Sequence, residues 1–263
     1  MLYKFRNWKD EVHKNWLLKR EIFFTSPARL NDPFDCAINY RYDLLSEEEK
    51  FEKYRKYVRD ENRMLNDDEV DRQARNWMRQ DLLKKDQILM NNSNLIRQQI
   101  NEKIGVLSLT KTKKTILLWS HYSDQHKGIC IGYSKKILLS HLTNEYNTSA
   151  KIFYDIDVDY STEYPLIIPN KDLTPEQYFK IPLGTKSSEW SYEDEYRILL
   201  YNGANERTTL PIEAIVEVNM ACNMPEKDQI VIGEFVRKNL PHVILYLCEP
   251  HEESFELKFK RMN

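Results

Sequence analysis

The stretch ILLWSHYSDQHKGICIGY, residues 116–133, combines an apolar run, two histidines, aromatic side chains and a glycine-containing turn. Its two ends predict β-strands, because ILLW is too apolar for an exposed loop and GICIGY alternates large apolar residues with Cys130 and Gly132. The polar residues 120–127 then form the connection between the strands. Because binding and catalytic groups concentrate on polar loops that rigid elements present, we expect a functional site that includes His121 and Tyr122.

The composition favours a folded protein that stays in the cytoplasm and does not enter a membrane. Its 39 Lys and Arg residues nearly balance its 41 Asp and Glu residues, so no global basic field favours nucleic-acid binding. The four cysteines lie far apart without CxxC spacing, which predicts reduced thiols rather than a zinc knuckle or a disulfide framework. Residues 1–12 lack the apolar core of a signal peptide, and no run of about 18 apolar residues could span a bilayer.

Hydrophobic periodicity predicts an α+β fold with a mostly antiparallel sheet, because strand patterns and helix patterns fall into separate parts of the chain. The predicted strands are residues 2–5, 22–24, 104–110, 152–160, 195–201, 214–221, 243–248 and 255–259, and the predicted helices outside the central block are 8–19, 172–180 and 227–239. We expect one domain, residues 1–263, with a helical insertion at about 46–103.

The charged block at residues 46–103 carries two helix-start signals. Ser46 with Glu49, and Asn66 with Glu69, have the spacing of a capping box. The second helix has an apolar stripe that continues toward Leu89 and is formed by Val70, Ala74, Trp77, Met78 and Leu82. In the later helix, Thr174 is the expected N-cap and Pro175 the first helical residue.

The second informative stretch is KSSEWSYEDEYRILLY, residues 186–201. If the chain is extended from Glu193, then Glu193, Glu195 and Arg197 share one face, and the alternating apolar residues face the core. Repulsion between the carboxylates raises the pKa of one, while Arg197 keeps the other ionised. Such a pair places negative charge beside a developing cation, as cleavage of a glycosidic bond requires. The alternative is a solvated ladder of Glu and Arg at the surface.

Several common site types are disfavoured by spacing. His121 and His126 are five residues apart in a predicted loop, which does not fit the i, i+4 pair of a zinc protease, so we expect no metal. Neither a GxSxG elbow nor a GxxxxGK[ST] phosphate loop is present. His121 fits a general base or an oxyanion donor, with a structural hydrogen bond as the alternative. Asn31 and Asp32 either build turns or contact a substrate.

Five segments together resemble the bacterial family catalogued as domain of unknown function 2971. The segments are LYKFR (2–6), FFTSPARLNDPFDC (23–36), GVLSLT (105–110), LWSHYSDQHKGICIGY (118–133) and KSSEWSYEDEYRI (186–198). The resemblance covers nearly the whole chain outside the helical block. It implies kinship of fold and candidate positions, and it suggests a role in phage defence or regulation.

The order of these motifs is also similar to that of ADP-ribosyltransferases. This resemblance implies that Arg6 binds a phosphate or ribose of NAD and that Ser108 and Thr110, or His121 and Tyr122, form the middle element. It implies that Glu195, with Glu193 before it, holds a ribose hydroxyl and stabilises the oxocarbenium-like state while Tyr122 stacks on nicotinamide. The candidate catalytic residues are thus Glu195, Glu193, His121 and Tyr122. The candidate substrate-binding residues are Arg6, Lys4, Asn31, Asp32, Ser108, Lys186 and Arg197.

The first functional hypothesis is an ADP-ribosyltransferase-like enzyme or NAD glycohydrolase, with NAD as substrate and a protein or nucleic acid as possible acceptor. The second is a metal-dependent nuclease or phosphoesterase in which Glu193, Glu195, His121 and Asp32 hold a divalent ion. The third is a non-catalytic module that binds a nucleotide or dinucleotide as a signal and contacts a partner through its helical block. The enzymatic hypotheses require the N-terminal basic residues, the histidine–tyrosine pair and Glu195 to meet around one cavity.

Overall fold

A computed structural model describes residues 1–80, 86–146, 151–169 and 174–263. The strands in these ranges are β1 (Leu2–Arg6), β2 (Glu21–Phe24), β3 (Ile104–Thr110), β4 (Ile129–Tyr133), β5 (Phe153–Asp157), β6 (Asp159–Ser161), β7 (Thr185–Ser187), β8 (Glu195–Tyr201), β9 (Glu206–Thr209), β10 (Ile215–Met220), β11 (Ile244–Pro250) and β12 (Leu257–Arg261). The α-helices are α1 (Glu11–Leu18), α2 (Glu47–Glu61), α3 (Asp67–Arg79), α4 (Asp86–Lys103), α5 (Ile116–Tyr122), α6 (Lys135–Tyr146), α7 (Pro175–Gly184) and α8 (Glu226–Asn239).

The main sheet of the described chain has the strand order β12-β11-β10-β4-β1-β3-β8-β5. Its neighbouring strands pair antiparallel except for β10 and β11, which are parallel. Two smaller two-stranded sheets pair β2 with β9 and β6 with β7. The predicted α+β class and the mostly antiparallel sheet are confirmed.

The centre of the sheet is buried on both faces, as β4 shows. All five of its residues are buried. Ile129 and Ile131 join the large hydrophobic cluster that includes residues of α1, α6 and α8, whereas Cys130, between them, joins a second cluster that includes residues of α5. Because successive side chains of a strand point to opposite faces, helices lie on both sides of the sheet.

The apolar run at residues 116–119 is the beginning of helix α5, so the predicted strand there is wrong. Leu118 and Trp119 are buried in the cluster that also contains Tyr3 and Phe5, whereas Ile116 is 37% exposed. The buried residues thus lie on one side of a short helix and do not alternate along a strand. The predicted strand at the other end of this stretch is confirmed as β4.

The helical block consists of α2, α3 and α4, and both predicted capping boxes are present. Ser46 caps α2 together with Glu49, and Asn66 caps α3 together with Glu69. Buried residues of α2 and α3 form a hydrophobic cluster of their own with residues 38–45 and Ile167. Leu82, at the end of the predicted stripe, lies outside the described residues. That the chain forms one domain stays a prediction.

Later elements follow the prediction with shifted bounds. The strand expected at 152–160 is divided into β5 and β6, and the strand expected at 255–259 begins at Leu257, since Phe255 is exposed. Helix α7 has the predicted cap, Thr174, and extends to Gly184; Asp172, where the helix was expected to begin, lies outside the described residues. Among the described helices, none combines the length and apolarity needed to cross a bilayer.

Strands β1 and β3 diverge within the main sheet. β1 pairs with β4 along its whole length but with β3 only where Tyr3 faces Thr110. Further along β3, the backbone of Val106 instead exchanges hydrogen bonds of 2.8 and 2.9 Å with Thr25, which follows β2. The two strands therefore form a fork that opens away from the Tyr3–Thr110 pair.

A tight turn after α5 fixes the end of β1 at this fork. Asp124, Gln125 and His126 all have left-handed backbone conformations, with φ of 51°, 54° and 63°. Each such non-glycine residue is strained. At Gly128, which ends the turn, a Cβ atom would lie 2.1 Å from the backbone oxygen of Arg6 and 3.0 Å from that of Ser123. Glycine is therefore required for β4 to start so close to β1.

We predict that Gly128→Ala lowers the free energy of unfolding by about 1–3 kcal/mol, because the Arg6 oxygen beside the new methyl group cannot move without shifting β1, and the Ser123 oxygen cannot move without shifting the turn after α5. Urea unfolding measures the change. The matched control is Gly184→Ala, where the new Cβ meets only the end of the Ile156 side chain, 2.8 Å away. An equal loss in both variants would contradict the requirement for close backbone approach at Gly128.

Candidate functional site

A cavity of about 360 Å³ lies where β1 and β3 diverge, and it is lined by residues of both strands. Its volume is within the range of small-molecule sites, roughly 300–1,000 Å³. Eight of the eleven candidate residues line it, namely Lys4, Arg6, Asn31, Ser108, Tyr122, Lys186, Glu193 and Glu195. The structure thus brings the N-terminal basic residues, Tyr122 and the late carboxylates around one hollow, as the enzymatic hypotheses require.

Arg197 is fully buried behind this cavity and uses every N–H of its guanidinium. Its Nε donates to Oε1 of Glu195 (2.8 Å), and Nη2 donates to Oε2 of Glu195 (3.0 Å) and Oδ2 of Asp35 (2.7 Å). Nη1 donates to the carbonyl of Leu183 (2.8 Å) and the Sγ of Cys36 (3.4 Å). Five N–H groups are all that a guanidinium has. Arg197 therefore positions the carboxylates and has no donor left for a ligand, which corrects its predicted role in substrate binding.

Glu195 is held as an anion at the wall of the cavity. Burial alone would raise the pKa of its carboxyl group, but Arg197 and, more weakly, Lys186 and the Ser108 hydroxyl lower that pKa to about 2. Its backbone N–H donates to the hydroxyl of Tyr160 at 2.9 Å, which fixes the start of β8. A buried charge is retained only when it is paired and hydrogen-bonded, and Glu195 meets both conditions.

Glu193 lines the cavity beside Glu195, but its backbone conformation differs from the predicted one. It is the last residue of a 3₁₀-helix, Ser188–Glu193, and the next residue, Asp194, is left-handed with φ of 42°, so the extended chain expected from Glu193 is wrong. Both carboxylates nevertheless meet at Lys186, whose Nζ lies 2.6 Å from Glu193 and 3.4 Å from Glu195. The hydroxyl of Tyr122 donates to the other oxygen of Glu193 at 2.7 Å.

Acidic side chains outnumber basic ones in this cluster. Lys186 lies 3.7 Å from Asp35 as well, so Lys186 and Arg197 pair with three carboxyl groups, those of Asp35, Glu193 and Glu195. Burial would lower the pKa of Lys186, but Glu195 and Glu193 raise it above its ordinary value. The ammonium group of Lys186 is therefore held in place by the acidic side chains around it.

Two basic side chains of β1, Lys4 and Arg6, line the same cavity. In β1, Leu2 packs on the α1 side of the sheet and Tyr3 and Phe5 on the α5 side, so Lys4 and Arg6 belong to the face of Leu2. The ammonium of Lys4 donates to the backbone oxygen of Ser108 and so bridges the fork. Burial lowers the pKa of Lys4 well below its ordinary value.

Arg6 has no carboxylate within ion-pairing distance among the described residues. Its guanidinium lies 3.8 Å from the centre of the Trp16 ring, a cation–π contact, and its Nε is buried without a hydrogen-bond partner. Burial lowers the pKa of Arg6 to about 9, so the group is still charged at neutral pH. A buried, unsatisfied donor costs free energy unless a ligand completes it. Arg6 therefore has a donor free for a ligand, and its predicted contact with phosphate or ribose stays a prediction.

Two candidate residues lie elsewhere. His121 is exposed beside the rings of Tyr122 and Tyr192, outside the cavity lining, and Asp32 lines a neighbouring cavity. The four ligands of the metal hypothesis are therefore not brought together. Within the described ranges, no group of three or more His, Cys, Asp or Glu side chains is arranged to hold a metal ion.

Sequence reasoning missed Asp35 and His13. Asp35 completes the partners of Arg197 and lines the cavity, but in the sequence it is indistinguishable from the turn-forming residues around it. His13 lines the cavity from α1, and burial and the nearby Arg6 lower its pKa. In α1, His13 lies three residues before the core residue Trp16, so the two side chains lie on the same side of the helix. This spacing could have identified His13 from the sequence.

Part of the chain matches a known protein family. Residues 118–198 match the model of a family described as protein of unknown function (DUF2971). The DUF2971 match contains most of α5, all of β4, and Glu193 and Glu195, but not Asp35, Lys4 or Arg6. It is shorter than the resemblance seen in the sequence. No significant match was found among curated proteins or solved structures. The similarity to ADP-ribosyltransferases has no support from these comparisons and stays a hypothesis.

We predict a pH-dependent loss of stability that depends on Glu195. Its pKa is about 2 in the folded chain and about 4.3 when unfolded, so its ionised form stabilises the fold fully above pH 4.5 and progressively less as the pH falls toward 2. In urea unfolding, the wild type should exceed Glu195→Gln by a constant margin from pH 7 to 5 and by a smaller margin from pH 4.5 to 3.

Exposed Glu213→Gln is the control and should stay within about 0.5 kcal/mol of the wild type at every pH. A wild-type margin over Glu195→Gln that is unchanged down to pH 3 would show that the Glu195 carboxylate is not held ionised by Arg197.

Proposed function

We propose that the chain binds NAD in the fork between β1 and β3 and cleaves its nicotinamide–ribose bond, as an ADP-ribosyltransferase or an NAD glycohydrolase. The observation that carries this proposal is the mixed charge of the cavity lining. Glu193 and the ionised Glu195 line it together with Arg6, a guanidinium without a carboxylate partner among the described residues. NAD likewise carries both charges, with a cationic nicotinamide ring at one end and a diphosphate in the middle.

The state of Glu195 favours one kind of catalysis. With a pKa of about 2, the carboxylate is a poor proton acceptor near neutral pH and therefore an inefficient general base. A fixed, desolvated negative charge instead stabilises positive charge that develops in a transition state. When the glycosidic bond breaks, its electron pair leaves with the nicotinamide nitrogen, and the ribose gains oxocarbenium character. Glu195 can stabilise that cation and accept a hydrogen bond from a ribose hydroxyl.

Tyr122 and Glu193 would work together at the leaving-group end. The hydroxyl of Tyr122 is held by Glu193, which fixes the position of a ring that lines the cavity. The burial of Tyr122 and the adjacent Glu193 raise the pKa of its phenol, so the group stays neutral. An aromatic face attracts the cationic pyridinium ring of bound NAD by a cation–π interaction.

Lys4 and Arg6 would hold the diphosphate. Charge-assisted hydrogen bonds from a guanidinium to phosphate are among the strong polar contacts in proteins, and Arg6 has its buried Nε available for one. Stacking on Trp16 orients the guanidinium before the ligand arrives. The oxocarbenium-like ribose would then be attacked by water, or by a nucleophile on a protein or nucleic acid, with loss of a proton. We assign this reaction to the cytoplasm; phage defence is one setting for it.

We predict that the purified protein releases nicotinamide from NAD and that Tyr122→Phe lowers this rate by about tenfold, because Glu193 loses a hydrogen bond worth about 1–3 kcal/mol. Glu195→Gln should lower the rate by about 10²-fold or more through loss of the negative charge. Tyr192→Phe is the matched control, since Tyr192 lies beside His121 outside the cavity lining.

Nicotinamide release is measured by chromatography with and without cell extract as a source of acceptor. Circular dichroism and retained NAD binding establish that each variant is folded. Release that survives in folded Glu195→Gln would contradict the assignment of Glu195, and NAD binding without release by the wild type would favour the non-catalytic nucleotide-binding alternative.

We predict that Arg6→Gln weakens the binding of NAD and of ADP-ribose by about 10- to 100-fold, since a hydrogen bond to a charged group contributes about 1.5–3 kcal/mol. Binding of free nicotinamide should not change, because that ring would lie at the carboxylate end. Arg41→Gln, at a residue paired with Asp43 and outside the cavity lining, is the control. Equal weakening of nicotinamide and NAD would contradict a phosphate contact. Isothermal titration calorimetry measures all three ligands.

A further inference from the structure

A second cavity, of about 240 Å³, lies directly behind the first. Asp35 and Lys186 line both cavities and form the wall between them. The rest of the second cavity comes from the turn at 32–38, from residues 161–165 after β6, and from the ends of β7. Neither Glu193 nor Glu195, the carboxylates assigned to NAD cleavage, lines it, so its other residues determine what it binds.

The second cavity contains a buried carboxylate without a cationic partner. Asp32 is 8% exposed, and one of its oxygens accepts the backbone N–H of Phe34 at 2.9 Å. No Lys, Arg or His among the described residues lies within ion-pairing distance of it. Glu163, which is exposed, adds a second carboxylate to the rim. A buried carboxylate is costly unless it is paired, so Asp32 favours a positively charged occupant.

Two aromatic rings lie beside hydroxyl-bearing residues in the lining of this cavity. Phe34 is 68% exposed and Tyr164 is 56% exposed, so both rings are accessible to an occupant. The hydroxyl of Tyr164 donates to the backbone oxygen of Ala37 at 3.2 Å and so fixes its ring at the rim. Ile38 and Pro165 complete the apolar lining.

Asp35, which also lines the cavity, is paired with Lys186 and Arg197, so Asp32 and Glu163 are the carboxyl groups left for an occupant. A metal ion needs a larger set of oxygen ligands than these two provide.

We infer that the second cavity binds an organic cation, a guanidinium or ammonium group carried on an apolar stem. The cation would lie against Asp32, and its stem would pack between Phe34 and Tyr164, because ring faces and carboxylates attract the same charge. Lys186 does not repel the cation strongly, since three carboxylates surround its ammonium group. The inference concerns binding and does not require NAD cleavage.

The shared wall connects this cavity to the first one. A cation bound beside Asp32 is separated from the Glu195 end only by the Asp35–Lys186 pair. It is therefore placed where the acceptor of a transferred ribosyl group would approach, a role that rests on the proposed function. A free amine and a side chain of a protein present the same chemistry to Asp32, so the experiment has to distinguish these two sources.

The test is calorimetric titration of the full chain, without NAD, with agmatine as the free cation and N-acetyl-arginine amide as the side chain. N-acetyl-citrulline amide, which has the same shape without the charge, is the ligand control. We expect saturable binding of at least one cation and binding of the citrulline compound at least about tenfold weaker. Binding of the blocked arginine alone would identify a protein side chain as the source, and tighter binding of agmatine would identify a free amine.

The diagnostic variant is Asp32→Asn, which keeps an oxygen for the N–H of Phe34 and therefore the turn. It should weaken cation binding by about tenfold or more, and Phe34→Ala should weaken it as well. Exposed Glu213→Gln, outside both cavity linings, should bind like the wild type. The inference is overturned if neither cation binds, if citrulline binds equally, or if Asp32→Asn has no effect. Because NAD is absent, these outcomes are independent of whether the chain cleaves NAD.

Discussion

The guanidinium of Arg197 holds together three segments that are distant in the sequence. It contacts the turn at Asp35 and Cys36, the end of α7 at Leu183, and Glu195 at the start of β8, and it is completely buried. Removing one partner of such a buried pair costs about 3–5 kcal/mol, because an uncompensated charge remains in the interior. The arrangement of carboxylates at the cavity therefore depends on this one side chain, although the side chain touches no ligand itself.

The fork in the sheet explains how opposite charges come to line one cavity. In a continuous antiparallel sheet, Lys4 and Arg6 would be separated from Glu195 by the sheet itself, since they belong to opposite faces. Because β1 and β3 share a single residue pair, a gap opens between them, and side chains from both faces of the sheet line that gap. The lining combines the ionised Glu195 with the guanidinium of Arg6, so a dipolar or zwitterionic ligand fits the cavity better than one of a single sign.

Features governed by local sequence were predicted well, and features governed by tertiary packing were not. The alternation in β4 and the capping boxes at Ser46 and Asn66 are local signals, and they are present as expected. The strand predicted for ILLW is wrong because a short apolar segment fits either a strand or a helix. The packing of this segment against Tyr3 and Phe5 decides between the two. For the site, motif order indicated that Arg6, Tyr122 and Glu195 would meet. It could not show that Arg197 is saturated by Asp35, because that contact spans 162 positions.

The single Tyr3–Thr110 pair also has a mechanical consequence. On one side of it, β12, β11, β10, β4 and β1 form one ladder, and on the other side β3, β8 and β5 form another. Within each ladder, neighbouring strands are joined by several residue pairs, whereas at this seam the two ladders are joined by the Tyr3–Thr110 pair, with the Lys4–Ser108 contact as an additional tie. A ligand that spans from Arg6 to Glu195 would add a second connection between the two ladders and so fix their relative angle.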